Sequence, residues 1–126
     1  MVKKLLHTRY RVVDLEKTVS FYRDILGLEE TRRHISGRGS QLVFLKAPGG
    51  DEEIEICKFD ESGPVIVGPD LTHLAFEVDD IDATIEKLKS RGVTFDIPKT
   101  ETPVCWMAQF RDPDGNKLVV HKRKAK

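Results

Sequence analysis

Apolar and polar residues alternate along two short stretches of the chain, and each stretch begins at a histidine. The first runs from 7 to 12 and the second from 73 to 78. Alternation of this kind is typical of a β-strand with one buried face. Asp14 and Asp80 each lie seven positions after the histidine of their stretch. Because a short carboxylate there suits a helix N-cap, the pattern predicts a strand followed by a helix, twice.

Apolar residues recur at helical spacing after each aspartate, and a glycine closes each series. The two series are Leu15, Val19, Tyr22 and Leu26 before Gly27, and Ile81, Ile85 and Leu88 before Gly92. The spacing predicts two amphipathic helices, each covering one face of a sheet. Glycine favours the left-handed position just beyond a helix C-terminus. We therefore expect both helices to end near these glycines.

Three strand-like segments follow each predicted helix, with turn-forming residues between them. They span residues 28–35, 41–46 and 52–59 in the first half, and 93–97, 105–111 and 117–122 in the second. The repetition predicts an α+β fold made of two βαβββ modules, at residues 5–60 and 70–124, within a single domain spanning 1–126. The Gly- and Pro-containing stretch at 62–70 is the expected linker.

The amino-acid composition limits the kinds of molecule that this protein is expected to bind. The 126 residues are 39% apolar and 33% charged, with 21 basic and 21 acidic side chains. A balanced charge favours neither nucleic acid nor an anionic membrane. No apolar run approaches the roughly 20 residues that span a bilayer, and no signal-peptide pattern is present. We therefore expect a cytoplasmic protein whose partner is a small molecule or another protein chain. We also expect its two cysteines, Cys57 and Cys105, to be reduced.

The motifs together resemble those of the glyoxalase I, bleomycin-resistance and extradiol dioxygenase proteins, the vicinal-oxygen-chelate superfamily. They are the segment from His7 to Tyr22, Leu26-Gly27-Leu28, Ile54-Glu55-Ile56, His73 with its strand and Asp79-Asp80, and Asp112-Pro113-Asp114-Gly115. This resemblance implies an incompletely closed eight-stranded β cup with the helices outside. It also implies a homodimer that holds one divalent metal ion per site.

The resemblance further implies which residues bind the metal. His7, Glu55 and His73 match ligand positions of glyoxalase I relatives, and two imidazoles with a carboxylate suit nickel, zinc, manganese, cobalt or iron. Val119 occupies the position where the family normally has a second metal-binding, proton-moving glutamate. His121 lies two residues on, hence on the same strand face, and is an additional candidate ligand. Glu55 is the remaining candidate for a catalytic base.

Arg11 matches the arginine that pairs with a glutathione carboxylate in glyoxalase I, so it is the candidate substrate-binding residue. Pairing of Arg11 with Glu77 is the structural alternative. Other positions depart from the glutathione pattern, because Phe59 stands where the family has an asparagine and Pro69 where it has an arginine. These departures from the family pattern argue against glutathione itself as the substrate.

Three functions follow from the resemblance. The first is a metal-dependent lyase or isomerase that acts on a small oxygen-chelating substrate through an enediolate-type intermediate, similar to lactoylglutathione lyase. The alternative is a metal-free ligand-binding protein of the bleomycin-resistance type, which the loss of the glutamate at Val119 favours. An extradiol dioxygenase ranks lowest, because those enzymes normally take their carboxylate from the last strand.

Overall fold

The chain folds as two compact units, Met1–Ile66 and Val67–Lys126. Their structure is a computed structural model that describes residues 1–68 and 70–125. Each unit contains one four-stranded sheet and one main helix. No helix within the described residues is both long enough and apolar enough to cross a membrane.

The first unit follows the order strand, helix and three strands. Its elements are β1 (His7–Arg11), α1 (Leu15–Ser20), β2 (Glu29–Ile35), β3 (Gln41–Lys46) and β4 (Glu53–Lys58). The strands lie in the order β1-β4-β3-β2, with β1 parallel to β4 and the other neighbours antiparallel. The first strand therefore lies directly beside the last, which brings residues some 46 positions apart into register.

The second unit repeats this plan. Its elements are β5 (His73–Glu77), α2 (Ile81–Ser90), β6 (Phe95–Glu101), β7 (Cys105–Arg111) and β8 (Lys117–Arg123). The order β5-β8-β7-β6 and the parallel pairing of β5 with β8 reproduce the first sheet. The predicted α+β fold of two βαβββ modules is confirmed.

Both predicted aspartate caps are present. The Asp14 side chain accepts a hydrogen bond from the Lys17 backbone N–H at 3.1 Å, and Asp80 accepts from Ala83 at 3.0 Å. Each bond satisfies a donor that the first helical turn leaves without an intrahelical partner.

The first helix departs from the simple prediction. Regular α-helix stops at Ser20, and residues Phe21–Ile25 form a π-helical turn in which the Leu26 N–H bonds to the Phe21 carbonyl at 3.1 Å. Val19 and Tyr22 both stay fully buried. Gly27 follows at a φ of 83°, the left-handed conformation that glycine adopts most readily.

The sixth strand also differs from the prediction, which placed it at 93–97. The observed β6 spans Phe95–Glu101 and contains Pro98. Because β6 is an edge strand, a proline that lacks an N–H costs no ladder hydrogen bond on its open side. The segment is polar and largely exposed, so it carries little of the apolar alternation on which the prediction depended.

The two inner strands of the first sheet, β3 and β4, are buried on both faces, whereas the edge strands β1 and β2 are more exposed. Ile54 and Ile56 of β4 lie on the face that packs against α1. The opposite face contains a small cluster of Leu42, Phe44 and Cys57. This second face, which we call the ligand face, also carries the candidate site residues of the first unit.

Candidate metal and ligand site

The parallel pairing of β1 and β4 brings the two predicted ligands of the first unit together. Arg9 is directly opposite Glu55, and His7 is opposite Glu53. Because alternate residues of a strand point to the same side, His7, Arg9 and Glu55 all lie on the ligand face. A histidine and a glutamate far apart in sequence thus become neighbours through one strand pairing.

Glu55 is a buried carboxylate with two partners. Its side chain is 3% exposed, Arg9 Nε donates a hydrogen bond to its Oε1, and His7 Nε2 lies 3.6 Å from its Oε2. The hydrogen bond to Glu55 raises the pKa of the Arg9 guanidinium. The carboxylate is therefore held by a permanent cation at one oxygen, while its other oxygen is directed toward an imidazole nitrogen.

An aromatic ring lies at the centre of the ligand face. Phe44 pairs with Glu55 on β4 and with Arg32 on β2, and the Arg32 guanidinium carbon lies 3.8 Å from the ring centroid. His34 stacks on the same ring with centroids 5.7 Å apart, and His7 meets it edge to face at 5.7 Å. His34 is exposed to solvent, yet its ring contacts this buried phenylalanine.

The second unit has the same strand pairing as the first, but different residues occupy the equivalent positions. Ala75 is opposite Val119 in the register in which Arg9 is opposite Glu55, so Val119 is the positional equivalent of Glu55. Val119 is 3% exposed. The acidic position of the first unit is thus apolar and buried in the second.

His121 lies on the Val119 side of β8, opposite Glu77 of β5. It is partly buried and occupies the position equivalent to Cys57 in the first unit. Its role as an additional metal ligand stays a prediction.

His73 begins β5, where its side chain has one defined hydrogen bond. Nδ1 lies 2.9 Å from the Leu71 carbonyl oxygen. A carbonyl only accepts, so this contact places a proton on Nδ1, and in the neutral imidazole Nε2 then carries the lone pair. A metal-binding histidine is commonly oriented by such a bond from its other ring nitrogen.

Arg11 is bound to the backbone of the segment that follows β4. Its guanidinium donates to the carbonyls of Phe59 at 3.1 Å, Gly63 at 2.8 Å and Pro64 at 2.7 Å. These contacts assign it a structural role in fixing that segment. Substrate binding by Arg11, and the pairing with Glu77 that the sequence left as an alternative, both stay predictions. Pro69, the other departure from the glutathione pattern, lies outside the described residues.

The family of the chain follows from comparison with known proteins. Residues 4–120 match the model of the Glyoxalase/Bleomycin resistance protein/Dioxygenase superfamily. The chain belongs to this superfamily. The resemblance inferred from the motifs is therefore confirmed over nearly the whole sequence.

Three similar proteins each share about a third or less of their residues with this chain. The lactoylglutathione lyase of Haemophilus influenzae is 32% identical over 120 residues, covering 91% of this chain and 89% of that protein. A probable lactoylglutathione lyase of Synechocystis is 31% identical over 119 residues, covering 90% and 91%. The crystal structure of a glyoxylase/bleomycin resistance protein/dioxygenase domain from Frankia superimposes with a TM-score of 0.82 at 27% identity, covering 98% and 94%.

The donors of the first unit fit a divalent ion of the kind that glyoxalase relatives use. With metal–ligand bonds of about 2.0–2.2 Å, two ligands of one ion lie roughly 3–3.5 Å apart, close to the 3.6 Å between His7 Nε2 and Glu55 Oε2. Within residues 1–68 and 70–125, no group of three or more His, Cys, Asp or Glu side chains is close enough to hold a metal. The pair therefore needs at least one further donor.

Sequence reasoning assigned no role to Arg9 or Arg32. Strand alternation places Arg9 on the same face of β1 as His7. This shared face is the one sequence feature from which a contact between Arg9 and the metal-site residues was predictable. Arg32 had no such signal, because a bulge between Glu30 and Arg32 shifts the register of β2 and changes which side chains point to the ligand face.

Proposed function

We propose that this protein is a metal-dependent lyase or isomerase of the glyoxalase superfamily that acts on a small molecule with two adjacent oxygens. The observation that carries the proposal is the His7–Glu55 pair, in which a buried carboxylate faces an imidazole nitrogen at ligand spacing. His73, whose Nδ1 contact leaves Nε2 free of its proton, is the proposed third donor. His121 is the candidate for a fourth.

The chemistry assigned to the chain's own residues centres on Glu55. A divalent ion held there would polarise the adjacent oxygens of a hydroxy-carbonyl substrate and so acidify the neighbouring C–H bond. Glu55 is the proposed base that accepts this proton, since Val119 has no group that accepts one. Arg9 holds the carboxylate at Oε1 and thereby keeps Oε2 directed toward the His7 side.

The lactoylglutathione lyases among the relatives support this reaction class. Glutathione is not the substrate we propose, because Arg11 is already bonded to three backbone carbonyls and Phe59 replaces the family's asparagine. The substrate is instead a smaller oxygen-chelating molecule.

A second candidate function is metal-free ligand binding of the bleomycin-resistance type. Val119 favours it, because a buried valine at the position equivalent to Glu55 removes one expected ligand and one expected base. The two functions differ in whether the purified protein holds an ion.

Metal content tests the proposal. Protein purified without chelator, incubated separately with nickel, zinc, manganese, cobalt or iron and then desalted, is expected to retain close to one ion per chain for at least one of these metals. His7→Ala, Glu55→Gln and His73→Ala should each lower the affinity for that metal by about tenfold or more, because each removes or weakens a donor. Elemental analysis and competition with a metal indicator measure this.

His34→Ala is the matched control, because it removes an imidazole from the ligand face of the first unit without touching the proposed ligand set. It should bind metal as the wild type does. Retention of less than about a tenth of an ion per chain by the wild type, for every metal offered, would contradict the lyase proposal and favour metal-free binding.

A further inference from the structure

We propose that Arg9 and Arg32 form an anion-binding pair, so that the ligand of this site is a small hydroxy-carbonyl compound that also carries a carboxylate or a phosphate. The hydroxy-carbonyl group of this ligand rests on the proposed function. Its anionic group is inferred only from side chains of the first unit.

The two arginines come from opposite edges of the first sheet and lean toward its middle. Arg9 lies on edge strand β1 and Arg32 on edge strand β2. Arg9 bonds to Glu55 and Arg32 Nη1 bonds to Glu53 at 3.0 Å, both on the inner strand β4. Residues two apart on one strand are separated by about 7 Å. Both guanidinium groups are therefore anchored to carboxylates about 7 Å apart along β4, on the ligand face.

The pair is layered so that the cations lie outward and the carboxylates inward. The Arg9 and Arg32 side chains are 54% and 53% exposed, whereas Glu55 and Glu53 are 3% and 16% exposed. An incoming molecule therefore meets guanidinium groups before it meets carboxylates. The formal charges of these four side chains cancel, and a divalent ion at His7 and Glu55 would leave the face positive.

Both guanidinium groups keep donors for a ligand. Among the described residues, Arg9 donates hydrogen bonds only through Nε and Arg32 only through Nη1. The remaining N–H groups suit the oxygens of a carboxylate or phosphate, which guanidinium binds through paired, charge-assisted hydrogen bonds. Each arginine is also held in place, Arg9 by the buried Glu55 and Arg32 by Glu53 and the Phe44 ring. Donors fixed in this way lose less side-chain entropy on binding.

A set of three related probes tests the inference by calorimetry. Dihydroxyacetone offers the hydroxy-carbonyl group alone, whereas hydroxypyruvate adds a carboxylate and dihydroxyacetone phosphate adds a phosphate. We expect each anion to bind the wild type at least about tenfold more tightly than dihydroxyacetone at low ionic strength. Because the preference is electrostatic, it should shrink as sodium chloride is added.

Substitution of Arg32 should weaken the preference for the anionic probes and leave binding of the neutral probe in place. Arg32→Gln should reduce it several-fold without changing metal content, since Arg32 does not touch His7 or Glu55. Arg9→Gln combined with Arg32→Gln should reduce it to less than about threefold. Arg33→Gln is the matched control, because Arg33 bonds to Glu30 and Glu16 instead of the ligand-face glutamates.

The outcomes separate this inference from the proposed function. Absence of a preference for either anion in the wild type, or an equal preference in wild type and Arg32→Gln, overturns the anion-binding pair even if metal is bound stoichiometrically. An arginine-dependent preference in protein that binds no metal supports the pair while the lyase proposal fails. Circular dichroism of each variant checks that the fold is retained.

Discussion

At the scale of single residues, position 119 is where the two repeats differ most in chemistry. Val119 and Glu55 occupy equivalent places in the two repeats, yet one is apolar and the other ionisable. A buried carboxylate is costly unless a cation or hydrogen-bond donors accompany it. In the first unit Arg9 supplies that cation, whereas Val119 is opposite Ala75, which supplies none.

Val119→Glu tests whether the family's missing acid restores a metal ligand. Without metal, the introduced carboxylate should lower the free energy of unfolding by about 2 kcal/mol, because it is buried opposite Ala75, which supplies no cation. Added metal should then raise the free energy of unfolding of Val119→Glu by more than it raises that of the wild type. Urea denaturation with and without the ion measures both quantities.

Val119→Gln is the isosteric control for this substitution. It buries a polar group of similar size but offers a far weaker ligand, so the metal should recover little of its lost stability. Equal recovery in Val119→Glu and Val119→Gln would show that position 119 does not reach the ion.

At the scale of elements, each module depends on the same strand-to-helix transition. An aspartate caps each helix through one hydrogen bond to the first turn. The helix behind it packs against its sheet, α1 against β4 and α2 against β7 and β8. Helix position is therefore set by a local cap and by apolar residues that meet the sheet.

Asp80→Ala should destabilise the protein by about 1 kcal/mol, since it removes the side-chain acceptor for the Ala83 N–H. The free energy of unfolding in urea is the measurement. Asp79→Ala is the control, because it removes the same charge one residue earlier, where the side chain caps nothing. A loss of equal size in both variants would assign the effect to charge and not to the cap.

At the scale of the whole molecule, the proposed metal site draws its ligands either from one chain or from two. We propose a homodimer, as the superfamily resemblance implies, and two-fold dimers frequently complete sites from both subunits. The proposed ligands divide between the units, with His7 and Glu55 in the first and His73 in the second.

Mixing two variants that each lack one proposed metal ligand distinguishes shared from unshared sites. If each site takes His7 and Glu55 from one chain and His73 from its partner, a dimer of His7→Ala with His73→Ala contains one intact site. Random exchange makes about half of the dimers mixed, so about a quarter of the wild-type sites should return. Metal binding after unfolding and refolding the mixture measures this. No recovery from the mixture, with the dimer confirmed by light scattering, would place all three ligands on one chain.

The sequence alone was sufficient for the plan of the fold. Two histidine-led strands, two aspartate caps and the spacing of apolar residues predicted the repeated βαβββ order, because alternation and helical periodicity are local properties of the chain. The π-helical turn at Phe21–Ile25 and the extension of β6 beyond Pro98 were not predictable in this way. Both depend on packing and on edge position, which are properties of the folded unit.

For the site, the sequence determined which side chains are available, and the tertiary structure decided their partners. His7, Glu55, His73 and the valine at 119 were identified from motif positions. The Arg9–Glu55 pair, the convergence of Arg32 from the far edge of the sheet and the backbone contacts of Arg11 emerged only from the structure. The physical reason is that these contacts join residues more than 20 positions apart through strand order and a bulge, which no local pattern records.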